Sequence, residues 1–254
     1  MTLSYCAAQV RAQDIDRFHL ALCAPSKSQP AMLAIAALNL ELARTASRVS
    51  DPNLGLVRLQ WWREVLDELK AGGPVRSHQV ALALSSISEV LDFPSLYMMV
   101  EGRKLDLVDG PFEDQEELRA YLARTAGSLM VAQGRVLGLK NHEGIANHLG
   151  CAFAYVGLAR NLLGGLGRET RGLEVWQTEP ELALENLVAQ ALMHLERAIE
   201  LRGAKQGSNA LATLFSAGNL VKWWIKLIQQ SSFGDAKLTR PLPFQLLRLI
   251  CSRK

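Results

Sequence analysis

Residues Val57–Pro74, VRLQWWREVLDELKAGGP, carry apolar side chains at helical spacing: Leu59, Trp62, Leu66 and Leu69 form one seam, with Val57, Trp61 and Val65 a second beside it. At about 100° per residue the two seams cover an arc about 200° wide. Gln60, Arg63, Glu64, Asp67 and Glu68 fill the remaining side. The run ends at Gly72-Gly73-Pro74, where proline excludes the helical conformation from the residue before it. Arg58 is the misfit. It falls in the middle of the apolar arc, where a charge costs several kcal/mol unless something anionic meets it.

The preceding segment supplies a partner. Ala31–Arg44, AMLAIAALNLELAR, is apolar on nearly every face, which places it at the centre of a helical bundle, and its polar interior residues are Asn39 and Glu41. A carboxylate buried alone takes up a proton; beside a buried arginine it stays ionised and hydrogen-bonded. A buried Glu41–Arg58 ion pair joining two helices is therefore predicted. The same three-to-four periodicity recurs over 12–23, 30–48, 54–71, 77–91, 95–107, 114–138, 143–164, 180–203 and 208–230, with a shorter piece near 241–251. Alternation of β-branched residues is rare, and the breaks are short Gly/Pro turns such as Asp109-Gly110-Pro111. The expected fold class is all-α, a compact array of helices forming one domain over residues 1–254.

At 254 residues and 49% apolar composition the chain can bury one large core. No window reaches about 18 uninterrupted apolar residues, so none is expected to span a membrane. The N-terminal stretch lacks an apolar run of signal-peptide length and reads as mature and cytosolic. Cys6, Cys23, Cys151 and Cys251 are scattered without a CxxC pair and are expected as buried thiols. The five histidines have no metal-site spacing, and His148 with Cys151 on one helix face is too few ligands for zinc. A net charge of +3 is too small to indicate nucleic-acid binding. Its distribution is uneven: from residue 222 seven Lys/Arg meet one acid, Asp235, so 222–254 carries 7 − 1 = +6 and the rest −3. Lys222, Trp223, Trp224 and Lys226 within that basic segment make a candidate surface for an anionic membrane or a partner. The alternative is a helix end with buried tryptophans and solvated cations.

RLQWWREVLDEL, with AALNLELARTASRVSDPNLG before it and VEGRKLDLVDGPFEDQEELRAYLARTAGSLM after it, resembles the squalene/phytoene synthase family. The resemblance covers most of the chain, from VRAQDIDRFHLALCAPSKSQPAMLAIAALNLELAR through GAKQGSNALATLFSAGNLVKWWIKLI to the closing RPLPFQLLRLI. It implies a helical prenyl-transferase fold with a central cavity, in which active members join two isoprenoid diphosphates head to head. Such members hold Mg²⁺ on two facing aspartate-rich helical motifs, because the departing diphosphate concentrates negative charge and hard Mg²⁺ takes oxygen ligands. The first motif is expected near ARTASRVSD, which offers only Asp51, next to a proline, with Thr45, Ser47 and Arg48 where acids are expected. The second is expected near YVGLARNLLGGLGRETRG, which has no acid between Tyr155 and Glu169 and places Arg160 and Asn161 at its heart. GGLGRET is neither a dinucleotide nor a Walker motif, and no strand precedes it.

Other family features persist. Tyr121, Thr125 and Ser128 share one helix face and match the family's tyrosine segment; they either border the cavity or satisfy one another in a core. The candidate cavity lining is Asn39, Trp62, Tyr121, Thr125, Ser128, Arg160 and Asn161. Glu101 and Asp106 lie about 140° apart on a helix and fit pairing with Arg103 or Lys104 better than a shared metal. Within the family the detail of NLELARTASRVSDPNLGLVRLQWWRE resembles the branch of the mitochondrial complex I assembly factor and its bacterial relatives, which likewise lack the aspartate motifs. The expected function is a catalytically silent protein assisting assembly of a respiratory membrane complex, with no catalytic residue, metal or cofactor. The alternatives are an active transferase with an altered site, using Mg²⁺ and Tyr121, or a module binding isoprenoid or other lipid. The implied location is the cytoplasm or cytoplasmic membrane face in a bacterium, or the matrix side of the inner membrane for a mature mitochondrial form.

Overall fold

A computed structural model describes residues 4–164, 172–203, 208–239, 242 and 244–251. Among these residues the chain is helical without a strand; Phe112 and Leu173 form one isolated bridge. The first helices are α1 (Tyr5–Gln13), which the periodicity missed, and α2 (Ile15–Leu22). Asp14 separates them, ending α1 and capping α2 by accepting from Arg17 N at 3.0 Å. Then come α3 (Gln29–Ala43), with Pro30 in its first turn, and α4 (Pro52–Lys70), capped by Asp51. α5 (Gln79–Ser85), α6 (Phe93–Gly102), α7 (Gln115–Leu122) and α8 (Ser128–Val136) follow. The predicted helix over 114–138 is therefore broken: a π-helical stretch, Ala123–Gly127, joins α7 to α8. The second half is α9 (Glu143–Leu163), the short α10 (Val175–Thr178), α11 (Pro180–Arg202), α12 (Asn209–Ile228) and α13 (Gln245–Cys251).

Two apolar clusters make the core. One gathers α1, α3, α4, α5 and α6, including Ile35, Leu38, Leu59, Trp62 and Leu96. The other gathers α9, α11 and α12, including Leu149, Tyr155, Leu195, Leu220 and Trp224. α2 and α8 contribute to both, which fuses them into a single array: Leu129 and Ala132 face the first, Met130 and Val131 the second. α3 is buried on every side from Ala31 to Asn39, as its composition requires.

The apolar arc of α4 is narrower than the sequence implies. Leu59, Trp62, Val65, Leu66 and Leu69 are buried, but Trp61 is half-buried and Val57 is 67% exposed. The first turn is held instead through Gly55, where Leu107 occupies the space a Cβ would fill. The adjacent tryptophans pack edge to face, their ring centroids 4.9 Å apart, and the His78 ring lies 5.6 Å from Trp61 and 5.0 Å from Trp62. Of the four cysteines, Cys6, Cys23 and Cys151 are buried, whereas Cys251 is exposed, because the outer side of α13 is uncovered.

α9 approaches the π-helical stretch so closely that a Cβ on Gly150 meets the backbone carbonyl of Ala126. Backbone cannot swing aside as a side chain does, so Gly150→Ala should cost about 1–3 kcal/mol, read from the urea midpoint. An effect indistinguishable from a surface alanine substitution would mean that the two helices are not so tightly apposed.

α9 and α11 also meet through His148 and His194, whose Nδ1 atoms lie 2.8 Å apart. Burial first, then His148 and Arg119, push the pKa of His194 down from 6.5 to about 4. The unfolded chain consequently binds the extra proton first as pH falls. The folded state is undiminished by this group above 6.5 and loses stability between 6.5 and about 4. Discounting for partial solvent screening, the loss is about 2 kcal/mol. Urea unfolding across that window should have a shallower pH dependence in His194→Gln; an unchanged slope would place the titration elsewhere.

Candidate functional site

Three polar nodes are strung through the helical array. The first centres on Glu41, whose side chain is 5% exposed. Arg58 Nη2 donates to Glu41 Oε2 at 3.2 Å and Arg48 Nη1 to the same oxygen at 3.3 Å, while Arg44 Nη1 lies 3.9 Å from Oε1. The Glu41–Arg58 contact is thus present, but Arg58 is not enclosed: its side chain is 36% exposed. α4 turns its exposed Val57 side outward here, so Arg58 sits on the rim of the apolar face and reaches inward. Asp51, the acid of the expected first motif, is an exposed helix cap accepting from Asn53 N at 2.8 Å.

The second node centres on Arg103. It donates to Tyr121 Oη at 2.6 Å, to Asp106 Oδ2 at 3.0 Å and to Asn39 Oδ1 at 3.3 Å. Burial opposes its charge, but Tyr121 and Asp106 more than offset this and hold its pKa above the ordinary value. Asn39 and Glu41 share α3, so one central helix feeds two nodes. Thr125 Oγ1 and Ser128 Oγ donate to the carbonyls of Tyr121 and Ala123, satisfying the backbone that the π-helical stretch disturbs. Lys104 pairs with Glu101 at 2.7 Å.

The third node was not read from the sequence. Asp16 on α2, 4% exposed, accepts from Arg160 Nη1 at 2.8 Å, Trp224 Nε1 at 3.1 Å and Gln245 Nε2 at 2.7 Å. The Arg160 guanidinium lies 3.4 Å from the Trp224 ring centroid and also donates to the Leu238 carbonyl. Arg160, a candidate for lining a cavity, is engaged by this carboxylate; Asn161, next to it, is half-buried. Trp224 follows the alternative of a buried tryptophan and not the surface reading: it is 1% exposed, and its indole N–H donates to Asp16. Trp223 is half-buried against the core, while Lys222 and Lys226 are exposed. Trp62 is a core residue, 1% exposed. The missed signal was available: Asp16 lies four and seven residues before Leu20 and Cys23, on an apolar face, just as Arg58 interrupts one.

A surface hollow of about 550 Å³ lies between Pro111–Gln115 and Leu173–Val175, with Glu113, Asp114 and Glu174 at its edge. None of the residues expected to line a central cavity borders it. Mg²⁺ does not fit the residues around Glu41, where three guanidinium groups surround the carboxylate and a hard cation needs several oxygen donors. Asp16 is likewise occupied by three donors. Among the described residues no three His, Cys, Asp or Glu converge as metal ligands. The remainder of the expected second motif, 165–171, lies outside the described residues.

An all-helical array of this kind is an isoprenoid-synthase fold. A dehydrosqualene synthase in complex with ligand superposes with a TM-score of 0.79 at 17% identity, covering 98% of this chain and 94% of that one. The chain belongs to the squalene/phytoene synthase family, whose sequence profile matches residues 10–168. Among curated relatives it is 29% identical over 153 residues to NADH dehydrogenase (ubiquinone) complex I, assembly factor 6 of Mus musculus, covering 58% of this chain and 45% of that protein. It is 31% identical over 143 residues to a 15-cis-phytoene synthase of Synechocystis sp., covering 54% of this chain and 41% of that enzyme. The matched stretch thus spans less than half the length of either relative.

Proposed function

We propose that this chain works by binding, without prenyl-transfer chemistry, and assists assembly or maturation of a respiratory membrane complex. The observation that supports this reading is the engagement of arginines of the two expected motif stretches with buried carboxylates: Arg48 with Glu41, and Arg160 with Asp16. A guanidinium repels Mg²⁺ and leaves diphosphate departure without its metal. The similarity to a complex I assembly factor supports the choice of partner, a subunit or assembly factor of such a complex.

A second reading, an active transferase with an altered site, draws on the similarity to a phytoene synthase and on Tyr121, whose hydroxyl Arg103 holds in place. Purified protein incubated with farnesyl or geranylgeranyl diphosphate, with and without Mg²⁺, separates the two. No diphosphate release is expected; Mg²⁺-dependent release, lost in Tyr121→Phe, overturns the non-catalytic reading. Affinity purification from native membranes should enrich respiratory-complex subunits. Lipid extraction and mass spectrometry of the purified protein test a third role, as an isoprenoid-binding module.

A further inference from the structure

α13 is amphipathic in an unusual way. Its inner side is fixed: Leu249 is fully buried, and Gln245, 2% exposed, accepts from Leu242 N at 3.2 Å while donating to Asp16 Oδ1 at 2.7 Å. Its outer side presents Phe244, Leu247 and Ile250, three residues apart and 78%, 60% and 51% exposed. Phe244 also has φ 53°, a left-handed conformation that bulky side chains rarely adopt. A backbone conformation costly for a bulky residue thus presents a phenyl ring that lies mostly in water.

We propose that this outward face of α13 is a lipid-contact surface that docks the protein on an anionic bilayer. Charge selects the occupant. Exposed Arg248 stands on α13, exposed Lys237 precedes it, and 222–254 carries seven cations against Asp235. A second copy using the same face would set like charge against like, whereas anionic headgroups meet the cations while acyl chains receive the apolar side chains. Lys222 and Lys226 are exposed on α12, and the buried Trp224 takes no part in the contact. The proposal stands independently of the assembly role, since lipid contact is measured on the purified chain alone.

Flotation of the full chain with phosphatidylcholine vesicles, with and without phosphatidylglycerol, is the test. Binding should require the anionic lipid and weaken with salt as the Debye length shortens. Leu247→Ser and Phe244→Gly should each lower partitioning by about tenfold, the loss of one buried large apolar side chain. Glycine adopts φ 53° freely, so Phe244→Gly should keep or raise the urea midpoint, and lost binding cannot then be ascribed to misfolding. Arg248→Glu should lower binding to anionic vesicles alone. Equal flotation on neutral and anionic vesicles, no flotation, or variants that float like the unsubstituted chain would overturn the proposal. So would sedimentation revealing a dimer that Leu247→Ser dissociates, since that assigns the face to a second copy.

Discussion

Asp16→Ala should lower the free energy of unfolding by about 3–5 kcal/mol, the range for removing one partner of a buried charged network. Three donors from three separate elements converge on this carboxylate: Arg160 from α9, Trp224 from α12 and Gln245 from α13. Without it the Arg160 guanidinium keeps the Leu238 carbonyl and the Trp224 ring but no counter-charge. The indole N–H of a tryptophan that is 1% exposed is left unsatisfied. Asp16→Asn keeps an acceptor and should cost less. Pairing Asp16→Ala with Arg160→Met removes both charges, so the double variant should be less destabilised than the sum of the single ones. Urea unfolding followed by circular dichroism measures all four. A cost below about 1 kcal/mol for Asp16→Ala, typical of an exposed pair, would deny the node its structural role.

Glu41→Ala should have the next largest effect, about 3–4 kcal/mol, and Arg58→Ala a much smaller one, about 1 kcal/mol. The asymmetry follows from the stoichiometry of the node. Glu41 is buried and alone; removing it leaves Arg44, Arg48 and Arg58 facing one another without an anion. Removing Arg58, which is partly solvated, leaves Glu41 with two other guanidinium groups. The same urea experiment decides: equal costs for the two substitutions would mean that Arg58 alone neutralises Glu41 and that Arg44 and Arg48 are bystanders.

What was legible in the sequence follows from what is local. The helical class, the burial of α3 on all sides and the inward pull of Glu41 on Arg58 depend on periodicity and on the cost of an unpaired charge. Those terms act over one or two helical turns. The width of the buried face of α4 was not legible, since neighbouring helices set how much of an amphipathic arc is covered; Val57 fits the arc yet lies in water. The π-helical stretch between α7 and α8 was equally hidden, because its extra residue is accommodated where α9 comes within backbone contact at Gly150.

The sequence by itself determined the class of fold and the family, and it set Arg58 on an apolar face and Arg160 near the expected second motif. Tertiary structure decided what those arginines do. Arg160 and Asp16 are 144 residues apart, and no periodicity links α2 to α9. The burial of Trp224 and the outward turn of Phe244, Leu247 and Ile250 were settled the same way, by which surfaces remained after the long-range contacts of α2, α9 and α12 had formed. Side-chain spacing fixes which residues share a face, whereas only packing between distant elements fixes whether that face meets protein or solvent.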